Sequence, residues 1–141
     1  MLEENKALIR GFVEEAFNKG NLDVVDEVYA STFISHDPTT PEEQGNPESV
    51  KQFVNTYLSA FPDGHTTVED SIAEGDRVVY RWTFRGTHQG ELMGISPTEK
   101  QVEITGITIN RLSGGKIEEQ WNLFDQLGLL QQLGVAPASR Q

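Results

Sequence analysis

The segment Lys116-Ile117-Glu118-Glu119-Gln120-Trp121-Asn122-Leu123-Phe124-Asp125-Gln126 follows a Gly114-Gly115 turn near the C-terminus. Side chains on a β-strand alternate between two faces. On an unbroken strand Ile117, Glu119, Trp121, Leu123 and Asp125 share one face, and Glu118, Gln120, Asn122 and Phe124 share the other. The first set is mostly large and apolar, so it is expected to look inward. It also carries two carboxylates. A carboxylate on an apolar face costs free energy unless it is paired, hydrogen-bonded or shifted in pKa. That conflict makes the segment the first place to look for chemistry.

Period-two alternation continues upstream. Residues 65–73, 77–88, 101–112 and 116–125 read as strands, with turn signals at Gly75-Asp76 and Ser113-Gly114-Gly115 that predict antiparallel hairpins. Gly90 to Lys100 is a longer loop containing Gly94 and Pro97. Before residue 65 the period is helical. Leu8, Ile9, Phe12, Val13, Ala16 and Phe17 form one stripe over residues 2–19, and Gly20 ends it. Asn21 can cap a shorter helix carrying Leu22, Val25, Val28 and Tyr29. Phe33-Ile34-Ser35-His36-Asp37-Pro38 then leads into a polar loop. Asn46-Pro47-Glu48 starts a third helix, with Val50, Phe53, Val54, Tyr57, Leu58 and Phe61 at helical spacing. A last short helix, 126–133, is closed by Gly134, and the tail beyond it is expected to fray. Helices first and strands afterwards give an α+β class in which a curved antiparallel sheet wraps the long helices and leaves a concave face.

The chain of 141 residues suits a single domain, 1–141, with room for a real core. Its formal charge of −11 repels phosphate backbones and anionic membranes, which argues against nucleic-acid and membrane partners. Cysteine is absent, so thiolate chemistry is excluded, and His36, His65 and His88 match no familiar metal-ligand spacing. The N-terminus does not read as a signal peptide and no apolar run reaches membrane-spanning length, so a cytoplasmic protein is expected.

Asp125 can be read as a general base whose pKa is raised by desolvation, or as the N-cap of the helix that follows. Glu119 can tune that base, or pair with Arg81 or Arg111 from a neighbouring strand, which the placement of those arginines inside strands favours. His36 is a proton relay or an ordinary loop histidine. His88 stands at a pocket mouth, or its flanking Gly86 and Gly90 mark only a bulge and a turn. Trp82 and Trp121 fit a core role more often than a ligand platform, but two tryptophans are hard to bury fully in so small a domain, and an indole beside a cavity fits them too. Tyr57 and Leu123 join Trp121, Glu119, Arg81, His88 and Trp82 as candidate substrate contacts, with Asp125 and His36 as candidate catalytic groups.

The order of segments resembles the SnoaL-like polyketide cyclases of the nuclear-transport-factor-2-like superfamily. The resemblance rests on Phe33-Ile34-Ser35-His36-Asp37-Pro38, Ala60-Phe61-Pro62-Asp63, Glu74-Gly75-Asp76-Arg77-Val78-Val79, Gly86-Thr87-His88-Gln89-Gly90-Glu91, Gly94-Ile95-Ser96-Pro97-Thr98, Gly115 to Trp121 with Asp125, and Gln132-Leu133-Gly134. It implies a cone-shaped barrel with a pocket at its open end, a homodimer formed through the sheet, and no metal or organic cofactor. It also implies a hydrophobic, carbonyl-bearing substrate closed into a ring by intramolecular aldol addition. The family's strand-end aspartate base maps by resemblance to Asp125, with His36, His88 and Arg81 as candidate oxyanion donors. Gln120 stands where several relatives carry histidine. The superfamily also hosts binding domains without turnover, and cofactor-free isomerases or hydrolases are open to the same cone.

Overall fold

The computed structural model describes residues 2–37 and 40–136, with the side chains of 40–43 left out. Helix α1 spans Leu2–Phe12 and passes directly into a π-helical segment, Val13–Asn18. The single helix expected over 2–19 is therefore wound in two ways, and the Lys19 amide reaches back five residues to the Glu14 carbonyl. Asn18 ends this segment and brackets Thr66 on a strand: its amide donates to the Thr66 carbonyl (2.9 Å) and its oxygen accepts from the Thr66 N–H (2.7 Å). Helix α2 is short, Val24–Val28.

Two strands come next, the second of them where the sequence suggested a polar loop. They are β1, Tyr29–Asp37, and β2, Thr40–Gly45. Helix α3, Pro47–Ala60, begins as expected: Asn46 accepts from the Ser49 N–H at 3.0 Å, and the Ser49 hydroxyl accepts from the Asn46 N–H at 3.1 Å. Strands β3 (His65–Glu74), β4 (Arg77–Thr87), β5 (Gln101–Ser113) and β6 (Lys116–Phe124) follow, and helix α4 (Gln126–Leu133) closes the chain. Gly134, with φ of 82°, supplies its left-handed C-terminal residue.

The strands form one curved six-stranded sheet in the order β2-β1-β6-β5-β4-β3. The class is the expected α+β. The sheet is mixed, because β1 runs parallel to β6, and the barrel stays open, with β2 and β3 as its edges. A hairpin connection cannot make a parallel pair, so β1 reaches β6 only through the whole intervening chain. One core cluster, including Ile9, Phe12, Val25, Tyr29, Val78 and Ile117, packs the N-terminal helices on the sheet. A second, including Phe61, Phe84, Leu92, Ile104 and Leu129, fills the other end. Among the described residues no helix is long and apolar enough to cross a membrane. The tail expected to fray falls, from residue 137 onward, outside the described residues.

The parity read from the last strand is corrected by a bulge. Arg111 of β5 lies opposite Glu119, but Leu112 lies opposite Ile117, so Glu118 is an extra residue on β6. One inserted residue exchanges the two faces of everything beyond it. Ile117 points inward and is fully buried. After the bulge Gln120, Asn122 and Phe124 face the concave side, and Glu119, Trp121 and Leu123 face out. Leu123 is 58% exposed.

Candidate functional site

The concave side of the sheet holds a cavity of about 470 Å³. Phe12, Val13 and Phe17 close it from the N-terminal helix, and Val50, Phe53 and Tyr57 from α3. Leu92 and Met93 enter from the loop between β4 and β5, and the inward residues of the sheet complete the lining. Gly106 makes one wall possible. A Cβ there would overlap the Trp82 ring, so only glycine lets the indole lie across β5.

Most of the lining is apolar or aromatic, and besides Asp37 its polar part includes a row of uncharged groups. The Trp82 indole N–H donates to the Thr108 hydroxyl (3.0 Å), which donates to Asn122 Oδ1 (2.6 Å). Beside it, Gln120 Nε2 donates to the Tyr29 hydroxyl (2.8 Å) and to Asn110 Oδ1 (2.7 Å). These bonds use the Asn122 oxygen and both Gln120 N–H groups. They leave the Asn122 amide N–H₂ and the Tyr29 O–H as donors and Gln120 Oε1 as an acceptor. Burial pushes the Tyr80 hydroxyl up to about 12 and Tyr29 higher still. Tyr57 is raised too, chiefly by burial and then by the Asp37 carboxylate nearby. All three phenols therefore stay protonated and can donate a hydrogen bond. Among the described residues that line the cavity, Asp37, the last residue of β1, is the one carboxylate, and none is lysine, arginine or histidine.

Of the candidate residues, Trp82 and Tyr57 line this cavity. His36, Glu119 and Trp121 are brought together, but on the outer face. His36 Nε2 meets Glu119 Oε2 at 2.7 Å, Arg111 Nε donates to Glu119 Oε1 at 3.1 Å, and the His36 ring stacks on Trp121 at 5.0 Å. Arg77 lies over the same indole, 5.0 Å from its centroid. The pairing of Glu119 with Arg111 is thus present. Arg81 is exposed and donates instead to Asp70. Asp125 is exposed and caps α4, its Oδ1 accepting from the Gly128 N–H at 2.8 Å. The apolar surroundings expected for it are therefore absent, and neither it nor Leu123 is in the cavity lining.

His88 is fully buried beneath the β4–β5 loop rather than at a mouth. Its Nδ1 accepts from the Thr98 N–H at 3.1 Å, which pins the loop that carries Leu92 and Met93 into the cavity. Among the described residues its Nε2 has no hydrogen-bond partner.

The sequence reasoning missed Tyr29, Asp37, Thr108, Asn110, Gln120 and Asn122. A signal existed for two of them. Thr108 and Asn110 share the inward parity of Val102, Ile104 and Leu112, and so are polar residues on an apolar face.

The family model for the SnoaL-like polyketide cyclases matches residues 7–133. Over 122 residues the chain is 30% identical to nogalonic acid methyl ester cyclase of Streptomyces nogalater, covering 84% of this chain and 90% of that protein. Among solved structures it is similar to AclR from Streptomyces galilaeus, a proposed hydroxylase. That match has a TM-score of 0.87 at 29% identity and covers 100% of this chain and 87% of AclR. It is also similar to IdmH from Streptomyces antibioticus, a proposed polyketide cyclase, with a TM-score of 0.80 at 33% identity over 93% of this chain and 99% of IdmH.

Proposed function

The chain belongs to the SnoaL-like polyketide cyclase family, and from that membership we propose that it closes a ring in a hydrophobic, carbonyl-bearing small molecule by intramolecular aldol addition. The observation that carries this reading is the cavity: an aromatic enclosure with a row of neutral hydrogen-bonding groups and a carboxylate, Asp37, in its lining. A carboxylate base removes a proton from carbon next to a carbonyl. The enolate oxygen accepts hydrogen bonds from donors such as the Asn122 amide and the Tyr29 hydroxyl. The enolate carbon attacks a second carbonyl of the same molecule, and the resulting alkoxide takes up a proton. No electron is gained or lost, so the step calls for no redox partner. Apolar walls exclude water and strengthen the hydrogen bonds to the enolate.

The test is incubation of the purified protein with nogalonic acid methyl ester, the compound in the relative's name, followed by chromatography and mass spectrometry. A ring-closed product of unchanged mass supports the reading. Tight binding without turnover, for this compound and for other polycyclic ketones, moves the assignment to a small-molecule-binding domain. The row of neutral hydrogen-bonding groups from Trp82 through Thr108 to Asn122 supports that second reading. The proposal includes a homodimer formed through the outer face of the sheet, where Ile72, Ile107 and Leu123 are exposed.

A further inference from the structure

We propose that Asp37 is the carboxylate base of this cavity; the assignment rests on the cyclase reading and names the group that removes the proton. Strand β1 is shifted in register against β2 between Ser35 and Asp37. Phe33, Ser35 and Asp37 all line the cavity, while His36, between them, lies on the outer face with Trp121. Two adjacent residues thus serve opposite sides of one sheet.

Elimination among the other groups gives the same answer. Glu119 is held on the outer face by His36 and Arg111. Asp125 is exposed and engaged at the start of α4. Tyr29, Tyr57 and Tyr80 are kept in their protonated, non-basic form by burial. Thr108, Gln120 and Asn122 are uncharged. Among the described residues of the lining that leaves Asp37, half-buried beside Tyr57. The Asp37 carboxylate takes the proton from the carbon next to the substrate carbonyl, and the electron pair of that C–H bond becomes the enolate.

The test uses two probes. One is 5-nitrobenzisoxazole, an aromatic C–H acid that opens to a coloured phenolate when a base removes one proton and its N–O bond breaks. It reports on a cavity base whatever the natural substrate. The other is nogalonic acid methyl ester. Wild type, Asp37→Asn, Asp37→Glu and Asp125→Asn are compared at equal folded fraction, checked by circular dichroism. Asp37→Asn is expected to lower turnover of the benzisoxazole by ~10² or more, the scale of general-base catalysis, and Asp37→Glu to restore part of it. Wild-type rates in Asp37→Asn, loss confined to Asp125→Asn, or no elimination by wild type above that of acetate each overturn the assignment. The two readings fail separately. Elimination that depends on Asp37 with no ring closure leaves the base in place and removes the cyclase. Ring closure that survives Asp37→Asn does the reverse.

Discussion

Glu119 accepts from Arg111 on one oxygen and meets His36 on the other. The bond to His36 is the largest influence holding its carboxyl below the ordinary glutamate value, and Arg111 adds to it against the cost of burial. A carboxyl whose folded pKa is depressed stabilises the fold at pH values above its unfolded pKa. That contribution is lost as pH falls through the folded value. Glu119→Gln should therefore be less stable than wild type at neutral pH, with the gap closing as pH falls through and below the ordinary glutamate range. Urea midpoints along that series check it, and a constant gap would mean that ionisation of Glu119 plays no part. The tyrosines run the other way. All three in the chain are raised by burial, so each favours the fold below its unfolded pKa and loses that contribution as pH rises through the folded value. Tyrosinate absorbance should stay low in the native protein near pH ~10.5, where free tyrosine is largely ionised. A rise there at native circular dichroism would show that these hydroxyls are open to water.

Strand β6 and helix α4 show which parts of an element the sequence makes legible. Its existence was readable from alternation, and the hairpin with β5 from Gly114-Gly115. Its faces were not, because nothing in Lys116 to Gln126 marks Glu118 as the extra residue; only the register with β5 does. The same gap hid Gln120 and Asn122, and so most of the cavity's polar row. The pairing of β1 with β6 was missed for a related reason: the two lie far apart in sequence, so no turn signal announces the pair. Helices α3 and α4 were legible because their caps are local chemistry. Deleting Glu118 should restore regular pairing of β5 with β6 and leave Ile117 inward and Glu119 and Trp121 facing out, because the residue removed is the unpaired one. We expect Gln120 and Asn122 to stay on the concave side and unfolding to remain cooperative, read by circular dichroism; loss of the native thermal transition would show that the fold requires the bulge itself. At the start of α4, Asp125→Ala should cost about 1 kcal/mol of stability while Asp125→Asn, which can still cap, costs much less. Equal losses in the two variants would mean that the charge, and not the cap, is what α4 requires.

The outer face of the whole sheet combines exposed apolar and cationic groups in a way that suits a copy of itself. Ile72, Ile107 and Leu123 are exposed there, and Trp121 lies among them between His36 and Arg77. Arg77, Arg81, Arg85 and Arg111 all stand on this face, paired with or facing Asp70, Asp76, Glu103, Glu118 and Glu119. A chain of net charge −11 repels its own copy. This surface is where arginine offsets that charge locally, and tryptophan and arginine are the residues enriched where proteins meet. A two-fold axis would set each arginine–carboxylate row against its own reverse, which makes the face self-complementary. The proposed homodimer then predicts a concentration-dependent mass in sedimentation, with a dimer at micromolar concentration. Ile107→Glu tests the face, since Ile107 is 45% exposed and its loss should change monomer stability by less than about 0.5 kcal/mol. It adds a negative charge close to its own symmetry mate, so the variant should sediment as a monomer with an unchanged circular dichroism spectrum. A dimer that survives Ile107→Glu would place the contact on another surface, and a wild-type monomer at that concentration would remove the dimer from the proposal altogether.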